Sequence, residues 1–157
     1  MSYFPLFVDL QDKPVALYGA GQIAARRLCG LLRFGAQVTV TAPEISEEIC
    51  VLAQKYAAQV TLMQARYTAG CIPKVMLALS ATNDPDTDRQ IYAECRTKGI
   101  PVNIASDQSL CDFYFPALVE QDGIVAGISS GGADHKRVRQ VSAAIREVLA
   151  REEEKNG

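Results

Sequence analysis

Apolar residues along the chain fall in short runs separated by segments of helical period, and this alternation predicts an α/β protein. The first run, "PVALYG" (14–19), ends in glycine. It is followed by 22–34, where Ala24, Leu28, Leu31 and Leu32 share one helical face. Gly35 supplies the positive φ that closes such a helix. "QVTVTA" (37–42) reads as a strand, and a helix is predicted around 46–57 with Ser46 as its cap. "QVTLMQ" (59–64) is a third strand. The near-continuous apolar run "KVMLALSA" (74–81) suits a fourth, covered on both faces. "DPDTDRQIYAECRTKG" (84–99) opens with acids, carries Pro85 in its first turn and ends in glycine, which marks a helix. "IPVNIA" (100–105) is a fifth strand.

Strands alternating with helices imply a parallel sheet with both faces covered. Right-handed crossovers make it doubly wound, in the order 3-2-1-4-5. Beyond 105 the rhythm changes. "CDFYFPALVEQDGIVAGISS" reads as two strands joined by a turn at Gln121-Asp122-Gly123. Strand alternation would put Phe113 and Phe115 on one face and Tyr114 on the other, with buried packing for one face and core or a ligand floor for the other. A last helix over 134–154 carries an apolar stripe of Val138, Val141, Ile145, Val148 and Leu149. That stripe covers the sheet or meets a second subunit.

Composition narrows the function classes. The 157 residues suffice for one domain with a real core, and 48% hydrophobic with 22% charged is an ordinary globular balance. A net charge of −2 lacks the basic footprint of a nucleic-acid binder, so no such partner is expected. Five cysteines (Cys29, Cys50, Cys71, Cys95, Cys111) form no C-x-x-C pair and a single histidine accompanies them. No metal site is expected, and the thiols suit a reducing, cytoplasmic setting. "MSYFPLFVDL" is apolar but short, contains Pro5 and Asp9 and lacks a basic start, so it is not read as a secretion signal. No apolar run approaches the roughly 20 residues of a membrane helix, and no membrane partner is expected.

The candidate chemistry begins where the first strand ends. Gly19-Ala20-Gly21-Gln22-Ile23-Ala24 fits G-x-G-x-x-A between a strand and a helix, the Rossmann-like phosphate turn. Gly19 permits the tight turn, Gly21 lets a diphosphate approach the backbone, and Ala24 keeps helix and sheet close. The helix N-terminus offers free N–H groups and a positive dipole end. An acid usually ends the second strand to hold the ribose; here Thr41-Ala42-Pro43 precedes Glu44. Glu44 reaches a ribose, or backbone groups at Pro43 and Glu44 hold the adenosine, or Glu44 is a helix-start acid. No arginine replaces the acid, which favours NAD over NADP. Arg26 and Arg27, one turn on, either neutralise phosphate or face solvent.

"YFPLFVDLQDKPVALYGAGQIAARRL", "GAQVTVTAPE", "SATND", "IPVNIASDQSLCDFYFPALV" and "ISSGG" stand in the order of the precorrin-2 dehydrogenases, and over 3–132 the chain resembles that family. The resemblance extends to the N-terminal domain of siroheme synthases. It implies an NAD-dependent oxidation of precorrin-2 to sirohydrochlorin, with iron insertion in some members, and a homodimer built through the segment after the sheet. The organisation it implies is an NAD-binding Rossmann domain over 1–112, then a small β-rich dimerisation segment with the C-terminal helix over 113–157. Cofactor contacts carry over to Gly19, Ala20, Gly21, Gln22, Ile23, Pro43, Glu44, Thr82 and Asn83. Asn83-Asp84 has a second reading as a helix cap.

The chain departs from the family at one telling position. The aspartate implicated in the chemistry is replaced by Ser106, with Asp107 beside it. A hydroxyl is no base at neutral pH. Asp107 takes over after a loop shift, or the site works by positioning substrate, or the protein binds tetrapyrrole or nucleotide without oxidation. Precorrin-2 carries several carboxylates, and "SSGGADHKRVRQ" offers donors and cations to match. Ser130, Gly131, His135, Lys136 and Arg137 are the candidates there, with a solvated basic face as the plainer alternative. A chelatase acting alone would draw on Asp107, Asp112 and His135.

Overall fold

The computed structural model describes residues 3–156, with side chains to 151. They fall into two compact units, one ending at Phe113 and one beginning at Tyr114. The first unit is a five-stranded parallel sheet flanked by helices. Its strands are β1 (Pro14–Tyr18), β2 (Gln37–Ala42), β3 (Val60–Gln64), β4 (Leu77–Ser80) and β5 (Val102–Ile104), ordered β3-β2-β1-β4-β5 as the sequence predicts. Helices α1 (Gln22–Arg33), α2 (Glu47–Lys55) and α3 (Pro85–Lys98) make the crossovers.

Burial explains the order. Val15, Ala16, Leu17 and Tyr18 are each almost fully covered, so β1 is apolar on both faces and takes the centre. Leu62 and Met63 of β3 stay exposed, as befits an edge. On α1 the predicted face is buried: Ala24, Leu28, Leu31 and Leu32, with Ala25 beside them. The predicted caps also form. Ser46 Oγ accepts from the Ile49 N–H, and Gly99 closes α3 at φ +66°.

Strands β4 and β5 are shorter than their apolar runs. Val15 pairs with Leu77, so residues before Met76 face chain that precedes β1 and find no ladder. Ile100 donates its N–H to Cys95 O in the cap of α3, and Pro101 has no N–H to give. The β3–β4 connection is held by one carboxylate. Glu94 accepts from the Tyr67 hydroxyl (2.6 Å), the Gly70 and Ile72 N–H groups (2.8 Å each) and the Lys98 ammonium (2.6 Å).

The second unit holds the antiparallel pair β6 (Ala117–Gln121) and β7 (Ile124–Ile128), turned through Asp122 and Gly123 at φ 51° and 77°. Helix α4 (His135–Asn156) packs on β6. Two expectations need correction. Phe113 to Pro116 form no strand, so the predicted aromatic alternation does not arise; Pro116 cannot donate to a ladder, and β6 begins just after it. The stripe of α4 is split as well. Val138, Ile145 and Leu149 are half-buried around a buried Ser142, whose hydroxyl donates to Val138 O at 2.7 Å, whereas Val141 and Val148 are exposed.

All five cysteines are free thiols. Among the described residues no helix is long and apolar enough to cross a membrane.

Candidate functional site

The glycine turn lies at the C-terminal end of β1, the edge where a doubly wound sheet opens its crevice. Gly19 has φ +93°, its N–H donates to Thr41 O at 2.9 Å, and a Cβ built on it would stand 2.3 Å from Ala81 O. Only glycine fits between the ends of β1 and β4. Gly21 differs: it caps α1 in an extended conformation, and a Cβ there would meet no protein atom within 4 Å.

The start of α1 is built to receive an anion. Its first intrahelical bond runs from the Ala25 N–H to Gly21 O, so the N–H groups of Gln22, Ile23 and Ala24 have no helical acceptor. No side chain caps it and no acid stands in its first turn, whereas Ser46 caps α2 and Asp84 caps α3. Uncapped donors, the positive dipole end and open space beside Gly21 fit a diphosphate. Ala20 is buried behind the turn; Gln22 and Ile23 are exposed on it.

Pro43 and Glu44 are exposed just past β2, and Pro43 O accepts from Gln64 Nε2 at 3.3 Å. Asn83 is exposed after β4. Asp84 takes the capping role, accepting from the Asp86 N–H at 3.0 Å and the Thr87 hydroxyl at 2.7 Å, and these bonds hold its carboxyl below the usual range. The two arginines separate. Arg26 is exposed, while Arg27 turns inward and donates from Nη1 towards Ser80 O at 3.5 Å. Burial lowers the pKa of Arg27, partly offset by Cys111 and Asp88.

Beyond β4 and β5 lies a cluster that the sequence did not announce. Asp88, 2% exposed, accepts on Oδ1 from the hydroxyls of Ser80 and Thr82, each at 2.6 Å, and on Oδ2 from the Ser106 hydroxyl at 2.5 Å. Ser106 itself is exposed. Asp88 reads in sequence as one of several acids opening α3. The available signal was Ser80, a polar residue in an otherwise apolar run, followed eight positions later by an acid in the helix that follows. Asp107 caps a single 3-10 turn over Gln108–Leu110, accepting from the Ser109 hydroxyl (2.6 Å) and N–H (2.9 Å). Those bonds keep its carboxyl below the usual range, which makes it a weaker base.

In the second unit, Gly131 and Gly132 turn the chain at φ 65° and 80°. Ser130 Oγ accepts from the Asp134 N–H at 2.9 Å, and Asp134 Oδ1 accepts from the Arg137 N–H at 2.8 Å. Asp134 thus stands as an acid at the start of α4, beside the exposed His135, Lys136 and Arg137. Among the described residues no three histidine, cysteine or acidic side chains gather as a metal site.

The chain is similar to known proteins in sequence and in fold. A family model described as "Putative NAD(P)-binding" matches residues 6–117. The "Probable multifunctional siroheme biosynthesis protein HemA" of Ruminiclostridium josui is 38% identical over 146 residues, 92% of this chain and 28% of that protein. The "Siroheme synthase" of Psychrobacter sp. (strain PRwf-1) is 40% identical over 132 residues, 84% of this chain and 27% of that protein. The chain therefore spans little more than a quarter of the length of these relatives. A solved structure titled "SirC, precorrin-2 dehydrogenase" superposes with a TM-score of 0.77 at 26% identity, covering 92% of this chain and 70% of that one.

Proposed function

From the chain's membership of the NAD(P)-binding family whose model it matches, we propose that it is an NAD-dependent dehydrogenase that oxidises precorrin-2 to sirohydrochlorin. The observation that carries the reading is the uncapped start of α1 at Gly21, with unengaged N–H groups facing open space behind the Gly19 turn. NAD, when bound, supplies the hydride acceptor. Gly19, Ala20, Gly21, Gln22 and Ile23 hold its diphosphate, Pro43 and Glu44 flank its adenosine, and Thr82 and Asn83 border it past β4. Ser106 and Asp107 stand at the polar rim beyond β5, on the sheet edge that carries the glycine turn.

In the second unit, Ser130 brings a hydroxyl to the turn that Gly131 shapes, while His135 adds an imidazole and Lys136 and Arg137 add cations for a polycarboxylate substrate. The protein works as a cytoplasmic homodimer. The exposed Ile124, Val141 and Val148 are the apolar positions that a second copy would cover.

The test is anaerobic incubation with precorrin-2 and NAD while NADH is followed. NADH formation is the expected result. A second reading, a binding protein of the same fold that does not oxidise, is motivated by Ser106 at the position where the resemblance implies an aspartate. Calorimetric binding of both ligands with no NADH would favour it. No binding of NAD would remove the dehydrogenase reading, and no binding of either ligand would remove both.

A further inference from the structure

Asp88 is a carboxylate withdrawn from solvent whose partners are all hydroxyls. A helix-start role does not account for it. Asp84 already caps α3, and the Asp88 N–H is used in the helix, donating to Asp84 O at 3.0 Å. Its two oxygens are in different states. Oδ1 takes both Ser80 and Thr82, which fix the plane of the carboxylate. Oδ2 takes Ser106 alone and retains acceptor capacity.

The three hydroxyls also differ in access: Ser80 is buried, Thr82 half-buried and Ser106 exposed. The cluster has an inner end at Asp88 and an outer end at Ser106. Its place in the sheet is defined. Ser80 pairs with Tyr18 on one side and Ile104 on the other. Thr82 and Ser106 therefore follow the row of residues that ends at Gly19, on the edge where the crevice opens. Arg27, from α1, is the cation near enough to feel the charge of Asp88 there.

We propose that Ser106 and Asp88 form a proton path, with Ser106 Oγ touching the substrate and Asp88 acting through it as the positioning and accepting carboxylate. The proposal rests on the dehydrogenase reading above. In that oxidation one hydrogen leaves carbon with its electron pair, the dinucleotide being the oxidant. The second leaves as a proton to Ser106 Oγ, and its bonding pair stays behind in the new double bond. The Ser106 proton moves at the same time to Asp88 Oδ2, and Asp88 later returns it to water through the same hydroxyl. A lone serine is too weak a base for this; a serine donating at 2.5 Å to a held carboxylate is not. Asp107, the alternative acid, is engaged in capping.

The experiment compares four variants with the wild type for NADH formation from precorrin-2, for NAD affinity by calorimetry and for thermal unfolding. Asp88→Asn and Ser106→Ala should each lower kcat by about 100-fold or more while NAD affinity holds. Ser106→Ala leaves the two bonds to Oδ1 intact and guards against a folding defect in the other variant. Ser106→Asp alone would press two carboxylates together and lower the melting temperature. Asp88→Asn/Ser106→Asp should restore that temperature and recover kcat over Asp88→Asn, because a carboxylate then stands at the outer end. Wild-type turnover with undiminished kcat in Asp88→Asn or Ser106→Ala overturns the path and leaves the dehydrogenase reading in place. So does a double variant no better than Asp88→Asn. No NADH from the wild type overturns both.

Discussion

Gly19 and Gly21 sit two residues apart and answer to different masters, the fold and the ligand. At Gly19 the positive φ and the nearness of Ala81 O both exclude a side chain. Gly19→Ala should cost on the order of 3 kcal/mol in stability, read from denaturant unfolding, and carry NAD binding down with it. Gly21→Ala meets no protein atom. Its stability should stay within about 0.5 kcal/mol of the wild type. Its methyl group would occupy the space beside the free N–H groups, and calorimetry should show NAD binding at least about tenfold weaker. Equal affinity in Gly21→Ala would place the diphosphate elsewhere. The motif was legible because its chemistry is local: six consecutive residues contain both the turn and the helix start. Asp88 was not, because its partners come from the end of β4, the loop after it and the loop after β5, and only the folded sheet gathers them. The same holds for Asp107, whose engagement with Ser109 depends on a 3-10 turn that has no periodic signature.

At the level of elements, helices and parallel strands followed their apolar periods closely, and the misses have backbone causes. Pro116 ended a strand reading that the aromatic residues before it had suggested, and Ile100 went to the cap of α3 rather than to β5. The lock between α3 and the β3–β4 connection was invisible, since Glu94, Tyr67 and Lys98 belong to different segments. Burial raises the Glu94 pKa, but donors from Lys98, Tyr67, Gly70 and Ile72 outweigh it and bring it down to about 2. A carboxyl depressed on folding stabilises the native state above its ordinary pKa of 4.5, and loses that contribution as pH falls towards 2. Urea unfolding across that window should show stability declining with acidity. Glu94→Gln should flatten the decline and cost about 2 kcal/mol at neutral pH. A variant with the wild-type slope would mean that Glu94 does not govern it.

For the whole molecule, each unit leaves apolar side chains in solvent. The first shows Phe4, Leu6 and Phe7 (84%, 67% and 78% exposed) and the second Ile124, Val141 and Val148. Phe4, Leu6 and Phe7 stand within four consecutive positions, and Val141 and Val148 lie two turns apart on one helical face, so the exposure falls in groups along the chain. Sedimentation of the wild type should give a dimer, and Val141→Asp/Val148→Asp should shift it towards monomer without unfolding α4, whose buried positions lie elsewhere on the helix. An unshifted dimer would leave the N-terminal aromatic residues as the contact to probe.

The central place of β1 also governs how the protein is made. One side of β1 finds β2 soon after it is synthesised, but the other side waits for β4, which begins only at Leu77. Until that segment leaves the ribosome, the most apolar strand of the nascent chain presents a bare row of peptide groups to its neighbours. Fragments released before Leu77 should therefore be chaperone clients or inclusion bodies rather than small stable domains.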